Sequence, residues 1–350
     1  MKKEEINSFS EANKEDILRI AAHLKLAARR RIESIMGKGK VIRDVIQLVE
    51  EYVRQDTPLL FEGETGVGKK EIITYLHAVS PRGGKELITV DCGTIPESLI
   101  ESELFGVKKG AYTDAKEDRI GKIEIANGST LFLDEINSLS KAMQSKLLTL
   151  IQEKKITRVG DNKPIKVDVR IIAAGNENFK DLVKYNRFRE DLYQRFVEKI
   201  RVPTLKERRE DMDFFIDKFL KEKSDELGRK EVRITNGARN LLKNYPWEGN
   251  IRQLMNFIHR LVTRVKWNEK AEMFIIQSAL VKKCYESEMF TEEQTPENND
   301  FTMKTAVNTA RKNAMERALR KTNGNNEKAI ALLGMTRSSY YALKKKWGII

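Results

Sequence analysis

The sequence predicts an α/β fold: a parallel sheet with helices on both faces, followed by two smaller helical units. Three observations carry this. A glycine-rich stretch, Gly63 to Lys70 (GETGVGKK), joins an apolar run to a helix-like segment. Four further short apolar runs alternate with helical spacings, and strands separated by helices pair in parallel. After Leu205 the alternation stops, and apolar residues recur at helical spacings.

At 350 residues the chain is long enough for two or three domains and a large core. Its net charge is +13, unevenly placed. From Phe301 to Ile350 there are eleven Lys and Arg against two Glu, so nine of the thirteen net charges lie in the last fifty residues. That asymmetry points to a nucleic-acid contact at the C-terminus. Two cysteines, Cys92 and Cys284, give neither a metal-ligand spacing nor a disulfide framework, which suits a reducing cytoplasm. No apolar run approaches the roughly 18 residues of a membrane span. MKKEEINSFSEANKED lacks the apolar core of a signal peptide, so the expected location is cytoplasmic, with no membrane partner.

The elements follow in order. Residues 1–36 read as a short polar leader whose helix, Glu15 to Ile35, brings Ile17, Ile20, Ala21, Leu24 and Ala27 near one face. Arg29-Arg30-Arg31 reads as a solvated face. A second helix, Val41 to Tyr52, opens the main α/β unit, residues 37–204. Its strands are Thr57–Phe61, Leu87–Cys92, Thr130–Leu133, Val167–Ala174 and Ile200–Val202. An amphipathic helix with Met143, Leu147, Leu148 and Ile151 on its apolar side follows the third. Residues 205–285 read as an all-α unit, with Phe214, Phe215, Phe219, Leu241, Leu242, Ile251, Leu254 and Ile258 at helical spacings. Glu286 to Asp300 is acidic and interrupted by Pro296, so residues 286–302 read as a flexible linker. Residues 303–350 form the last unit.

In open parallel sheets ligands sit at the carboxyl ends of the strands. Gly63, Glu64, Thr65, Gly66, Val67, Gly68, Lys69 and Lys70 fall there, with Asp91, Asp134, Glu135 and Asn176. The spacing G-x-x-x-x-G-K fits a Walker A loop, whose backbone N–H groups and helix N-terminus cradle phosphates while Lys69 reaches the outer ones. Lys70 stands where many such loops place the Ser or Thr that holds magnesium. Asp134-Glu135 closing an apolar strand is either a turn or cap, or a Walker B pair in which Asp134 holds Mg2+ and Glu135 polarises a water. The preceding P-loop favours the second reading and implies ATP. In the last unit, Ala314–Lys321, Asn326–Leu333 and Arg337–Trp347 read as three helices, with a tight turn at Gly334-Met335-Thr336. This fits a helix-turn-helix. Arg337, Ser338, Ser339 and Tyr340 would meet base edges of double-stranded DNA, and Lys344, Lys345 and Lys346 its phosphates.

Taken together, ESELFG at 101–106, GAYTDA at 110–115, TLFLDEI at 130–136, FREDLYQR at 188–195, VPTLKERRED at 202–211 and WEGNIRQL at 247–254 resemble the AAA+ activators of sigma-54 RNA polymerase, the NtrC-type enhancer-binding proteins. The C-terminus resembles the Fis-type domain that ends many of them. The resemblance implies an ATPase whose partners are an upstream DNA site, sigma-54 holoenzyme and further copies of itself, as dimers when inactive and commonly a hexameric ring when active. It casts Arg189 and Arg195 as arginine fingers reaching a neighbour's nucleotide, Asn176 as the sensor I residue and Arg252 as the sensor II arginine. The insert Gly110, Ala111, Tyr112, Thr113, Asp114 and Ala115 is cast as the sigma-contact loop.

Three residues depart from the family pattern. The insert usually reads GAFTGA, so Tyr112 keeps an aromatic ring while Asp114 adds a charge and narrows the backbone. Asp91 replaces an Asn that commonly holds the Walker B Glu, bringing two carboxylates together. Lys70 replaces a common Glu. Asp114 and Asp91 support a second reading: a DNA-binding regulator that keeps the nucleotide unit for assembly and has lost productive sigma-54 contact. A AAA+ chaperone or protease-associated unfoldase is disfavoured by the helix-turn-helix and by GAYTDA. Before the P-loop there is no receiver or ordinary ligand-sensing domain, which implies either constitutive activity or control by a separate regulatory protein.

Overall fold

The apolar runs become strands whose side chains alternate between two cores. The computed structural model describes residues 26–111, 117–229, 232–269, 272–292, 311, 314–315, 318–319, 322 and 325–347. It divides into two units, Met1–Cys284 and Tyr285–Ile350. The first unit begins with helix α1, whose described part is 26–36, and α2 (Lys40–Glu51). Then come β1 (Leu59–Glu62), α3 (Lys69–Val79), β2 (Ile88–Asp91), α4 (Glu97–Phe105), α5 (Lys122–Ile125), β3 (Thr130–Asp134) and α6 (Lys141–Glu153). A short antiparallel hairpin, β4 (Lys155–Ile156) and β5 (Ile165–Lys166), precedes β6 (Arg170–Gly175), α7 (Phe179–Lys184), α8 (Glu190–Arg195) and β7 (Glu198–Arg201).

The main sheet runs β2-β3-β6-β1-β7, every pair parallel. Leu60, Leu131, Leu133, Ile171 and Ala173 enter one core with residues of α4, α5, α6 and α8. Leu59, Phe61, Phe132, Ile172, Ala174 and Ile200 enter the other, against α1, α2 and α3. This period-2 alternation is what a strand covered on both faces requires. Each fully buried Leu, Ile or Phe contributes about 1.5–3 kcal/mol relative to exposure. All five strands therefore end at one edge, where β1 enters the glycine loop and β3 ends at Asp134.

The leader differs from expectation. Its positions 1–25 lie outside the described residues, but Ile32 and Met36 of α1 are buried in the second core, so this stretch belongs to the α/β body. Arg30 and Arg31 are exposed, as a solvated face requires, whereas Arg29 is half-buried and pairs with Glu33 and, at 2.7 Å, with Glu50. The reason is the partner, since α2 presents a carboxylate that also accepts from Tyr75 of α3.

A 3₁₀ segment, Leu205–Asp211, opens the next part. It carries a capping box, in which the Glu207 carboxylate accepts from the Thr204 N–H at 2.8 Å. Then follow α9 (Met212–Glu226), β8 (Val232–Ile234), α10 (Asn236–Asn244), α11 (Asn250–Arg264), β9 (Trp267–Asn268), β10 (Met273–Ile276) and α12 (Ser278–Glu292). The part is not purely helical. β8, β10 and β9 form a three-stranded sheet, parallel for β8 with β10 and antiparallel for β9 with β10. Strands this short hold too few residues to show a period of two. The linker also starts later than expected. α12 continues to Glu292 because Glu286–Glu292 holds no Pro or Gly, and extending a helix is easier than nucleating one. Residues 293–302 lie outside the described residues.

In the second unit the described residues of α13, within 311–319, are helical, followed by α14 (Asn326–Leu333) and α15 (Arg337–Trp347). Asn325 caps α14 by accepting from the Lys328 N–H at 3.1 Å, and Gly334 ends it at φ +62°. Met315, Ala318, Leu319, Ala329, Ile330 and Tyr340 form the core of this unit. No helix of the described residues is long and apolar enough to cross a membrane.

Candidate functional site: a phosphate loop beneath a lid

The loop after β1 requires glycine at two points. Gly66 and Gly68 sit at φ +80° and +99°. A Cβ on Gly66 would lie 2.4 Å from the Gly249 carbonyl oxygen, and one on Gly68 2.6 Å from Met36 Cε. At Gly66 the backbone conformation and the facing carbonyl both exclude a side chain, and at Gly68 the backbone conformation disfavours one. Gly68 caps α3 without a side-chain hydrogen bond, so the first N–H groups of α3 are left for a ligand. Lys69 is the first residue of α3 and is 8% exposed. Its Nζ donates to the carbonyls of Gly63 (2.5 Å) and Glu64 (3.0 Å). Burial pulls the Lys69 ammonium below the usual lysine range, and the Asp134 and Glu135 carboxylates oppose that.

These groups line a cleft of about 350 Å³ with Thr65, Gly66, Val67, Gly68, Lys70, Asn176 and Arg252. The expected Walker A, Walker B, Asn176 and Arg252 positions are thus brought together from β1, β3, β6 and α11. Burial raises the Asp134 carboxyl, while the Glu135 N–H, donating to Asp134 Oδ1 at 3.1 Å, lowers it. Glu135 adopts φ +51°, a left-handed backbone uncommon for a residue other than glycine. Its Oε2 and the Asp91 Oδ1 face one point, lying 2.0 Å and 3.5 Å from where a Cβ on Gly93 would sit. Asp91 Oδ1 itself accepts from the Gly93 N–H at 3.0 Å.

The cleft fits a nucleoside triphosphate: inward N–H groups, an ammonium, and an apolar end built from Ile35, Met36, Phe219, Ile251 and Met255. For magnesium the cleft offers the Asp134 carboxylate, which would act together with phosphate oxygens, since Lys70 supplies no hydroxyl. Mg2+ commonly takes one or two carboxylates, phosphate oxygens and water.

Comparison with known proteins agrees with this geometry. Residues 35–201 match the Sigma-54 interaction domain family, and residues 206–288 the AAA+ ATPase lid domain family. The transcriptional regulatory protein ZraR of Salmonella typhimurium is 37% identical over 313 residues, covering 88% of this chain and 67% of that protein. The chain belongs to the sigma-54-interacting AAA+ family. A signal-transduction and transcriptional-control protein of Clostridium beijerinckii is 36% identical over 332 residues, covering 93% of this chain and 50% of that protein. The Nif-specific regulatory protein of Klebsiella pneumoniae is 41% identical over 230 residues, covering 65% and 44%. The chain spans about half the length of the first curated relatives it matches. Among solved structures, NtrX of Brucella abortus has a TM-score of 0.68 at 26% identity, covering 98% of this chain and 74% of that one. Its complex with ATP has a TM-score of 0.66 at 27% identity, covering 89% and 69%.

Two of the expected family positions stay out of the cleft. Arg189 caps α8, pairs with Asp191 at 2.6 Å and donates to Ser145 Oγ at 2.8 Å. Arg195 closes α8, exposed beside Gln152. Neither lines the chain's own nucleotide cleft. The base of the insert is held: the Val107 N–H and the Arg119 N–H each donate to the other residue's carbonyl at 2.8 Å, and Lys108 pairs with Asp118 at 2.7 Å. Gly110 and Ala111 are described, whereas Tyr112, Thr113, Asp114 and Ala115 lie outside the described residues.

In the C-terminal unit Arg337, Ser338 and Ser339 are exposed at the start of α15, and Arg337 pairs with Glu327 at 2.6 Å. Lys344 donates to Asn326 Oδ1 at 3.1 Å; the side chain of Lys345 lies outside the described residues. Tyr340 is corrected: it is fully buried in the unit's core, with its hydroxyl donating to Asn326 Oδ1 at 3.1 Å. Ala329 and Ile330 of α14 take up its ring, so it cannot meet a base edge. Tyr341, next in sequence, is 47% exposed instead.

Three supporting residues escaped the sequence reading. Arg208 is fully buried; its Nη1 and Nη2 donate to the carbonyls of Met36 and Val67, both at 3.1 Å, and its guanidinium lies 5.3 Å from the Phe215 ring. Burial brings it down to about 10, still cationic at neutral pH. Asp211 Oδ1 accepts from the N–H groups of Lys38 (3.0 Å) and Gly39 (2.7 Å). Asn250, at φ +53°, donates to Glu64 Oε2 (2.9 Å) and the Thr65 carbonyl (3.1 Å) while accepting from the Leu205 N–H (2.8 Å). Together they fasten lid, N-terminal helices and P-loop. All three lie inside the blocks VPTLKERRED and WEGNIRQL, but Arg208 is indistinguishable there from Arg209 without the packing.

Proposed function

We propose that this chain is a transcription regulator that binds DNA and hydrolyses ATP in an oligomeric ring to remodel sigma-54 RNA polymerase. One observation carries the reading. Lys69, Asp134, Glu135, Asn176 and Arg252 converge on one cleft, while Arg189 and Arg195 point elsewhere, available to complete a neighbour's cleft. Lys69 and the N–H groups of the P-loop hold the phosphates. Asp134 holds Mg2+, which supplies charge neutralisation at the phosphates. Glu135 takes a proton from the attacking water, and Asn176 and Arg252 contact the γ-phosphate. A guanidinium suits the role in trans because it is always charged and forks onto phosphate oxygens. Arg337, Ser338 and Ser339 meet base edges, and Lys344 and Lys345 phosphates. The relatives named transcriptional regulators support the same reading.

The test is nucleotide binding, sedimentation with and without ATP, and open-complex formation on a sigma-54 promoter. Lys69→Ala is expected to abolish nucleotide binding. A protein that binds nucleotide nowhere near Lys69 and stays at or below a dimer with ATP refutes the proposal.

A second reading is favoured by Asp91 and Asp114: a DNA-bound regulator whose nucleotide unit serves assembly alone. The shared approach of Asp91 and Glu135 to Gly93 is the observation behind this reading. Steady-state ATPase of wild type and Asp91→Asn separates the cases; equal rates remove any effect of Asp91. Open-complex formation by the wild type removes the second reading.

A further inference from the structure

Behind the cleft, Asn137 sits in the 3₁₀ turn Ile136–Ser138, two residues past Glu135. Its Nδ2 donates to Asn176 Oδ1 and to Glu177 Oε1, both at 3.0 Å. Glu177 is held in turn by Arg187, whose Nη1 donates to Oε2 at 2.9 Å and Nη2 to Oε1 at 3.3 Å. Neither Asn137 nor Glu177 lines the cleft, whereas Asn176 does.

The chemistry of this chain of groups has a single consistent polarity. A carboxylate only accepts hydrogen bonds, so the Asn137 atom facing Glu177 must be its NH2. The second hydrogen of that nitrogen then needs an acceptor, and Asn176 must meet it with Oδ1. The two ends of an amide point apart, so Asn176 is left with Nδ2 for the cleft. An amide in isolation could present either end; here the carboxylate decides.

We infer that Asn137 and Glu177 are positioning residues that lock the Asn176 amide with its donor end toward the nucleotide's terminal phosphate. This rests on the proposed ATPase reading of the cleft. A fixed N–H donor aimed at phosphate oxygens stabilises charge that grows in the transition state, whereas the reversed amide would set a carbonyl oxygen against them. The Arg187 pair extends the lock to the segment that leads into Arg189.

The decisive variant reverses the polarity while keeping the hydrogen bonds. In Asn137→Asp/Glu177→Gln the carboxylate at 137 only accepts; the amide at 177 donates to it, and Asn176 must turn its Nδ2 inward. Net charge is unchanged. The expected result is a melting temperature close to that of Glu177→Gln alone and a KM for ATP within about threefold, with kcat lower by about tenfold or more. The preference for ATPγS over ADP should fall in parallel. A double variant with the kcat and ATPγS preference of the wild type overturns the inference, because a purely structural role is satisfied by the rebuilt network. If the double variant does not fold, Asn137→Ala serves. It frees the Asn176 amide to take both orientations, so kcat should fall by about two- to fivefold with KM held. Wild-type kcat in that variant overturns the inference as well. A wild type that neither binds nor hydrolyses ATP overturns the reading beneath, and this one with it; active wild type with indifferent variants overturns this one alone.

Discussion

Replacing Arg208 by Ala removes one buried cation from beneath the P-loop, and the consequence can be estimated from its contacts. Its two bonds, to the Met36 and Val67 carbonyls, each have a charged donor, and such bonds contribute about 1.5–3 kcal/mol. Desolvating the guanidinium offsets much of that in the intact protein, as its lowered ionisation shows. The variant escapes that offset only partly, because it leaves Asp211, 2% exposed, without the guanidinium it attracts. Breaking a buried charge arrangement from one side costs about 3–5 kcal/mol, which is the expected loss here. Arg208→Lys keeps the charge but a single ammonium bridges the two carbonyls poorly, so a loss of about 1–3 kcal/mol is expected. Urea titration followed by tryptophan fluorescence is a direct assay, since Trp247 is buried in the lid with its indole N–H donating to the Leu242 carbonyl. A loss under about 1 kcal/mol for Arg208→Ala, at unchanged urea dependence, would refute the claim that this cation clamps lid to P-loop.

Other consequences follow from single observations. Burial beside Asp91, Asp134 and Glu135 pushes the Cys92 thiol up to about 12, so the folded protein should not react with iodoacetamide at Cys92 at pH 8, and labelling should appear only in denaturant. Glu207 is held below the usual glutamate range, first by the Arg201 guanidinium and then by the Thr204 N–H. A carboxylate depressed in the folded state contributes stability that is present above its unfolded value, near 4.5, and lost as pH falls through the folded one. Glu207→Gln should therefore destabilise by about 1 kcal/mol at pH 7 and by less below pH 4 in thermal melts. Tyr340→Ala should unfold the C-terminal unit, with a loss of about 3–5 kcal/mol, while Tyr341→Ala leaves its helical circular dichroism intact; the reverse order would contradict the burial of Tyr340.

Much of the molecule was legible in the linear order of its residues. The five strands were visible because strands buried on both faces are short apolar runs, and the P-loop because its geometry demands glycine at 66 and 68 and a lysine directly after. The acid pair at 134–135 was visible because it ends such a run. Less was legible where side chains act across distance. The lid's small sheet is built of strands of two to four residues, below the length at which alternation shows. Tyr340 and Tyr341 are neighbours with opposite fates, and only the packing of α14 on α15 separates them.

What the sequence by itself determined was the set of local structures and the chemical inventory of the cleft, since both depend on residue type and on spacings of a few positions. What only the tertiary structure decided was which polar groups face each other. Arg208 meets Val67, 141 positions away, Asn250 meets Glu64, 186 away, and Asn137 meets Asn176, 39 away. Such pairings are set by how helices and strands stack on the two cores, and no rule of local spacing reaches that far.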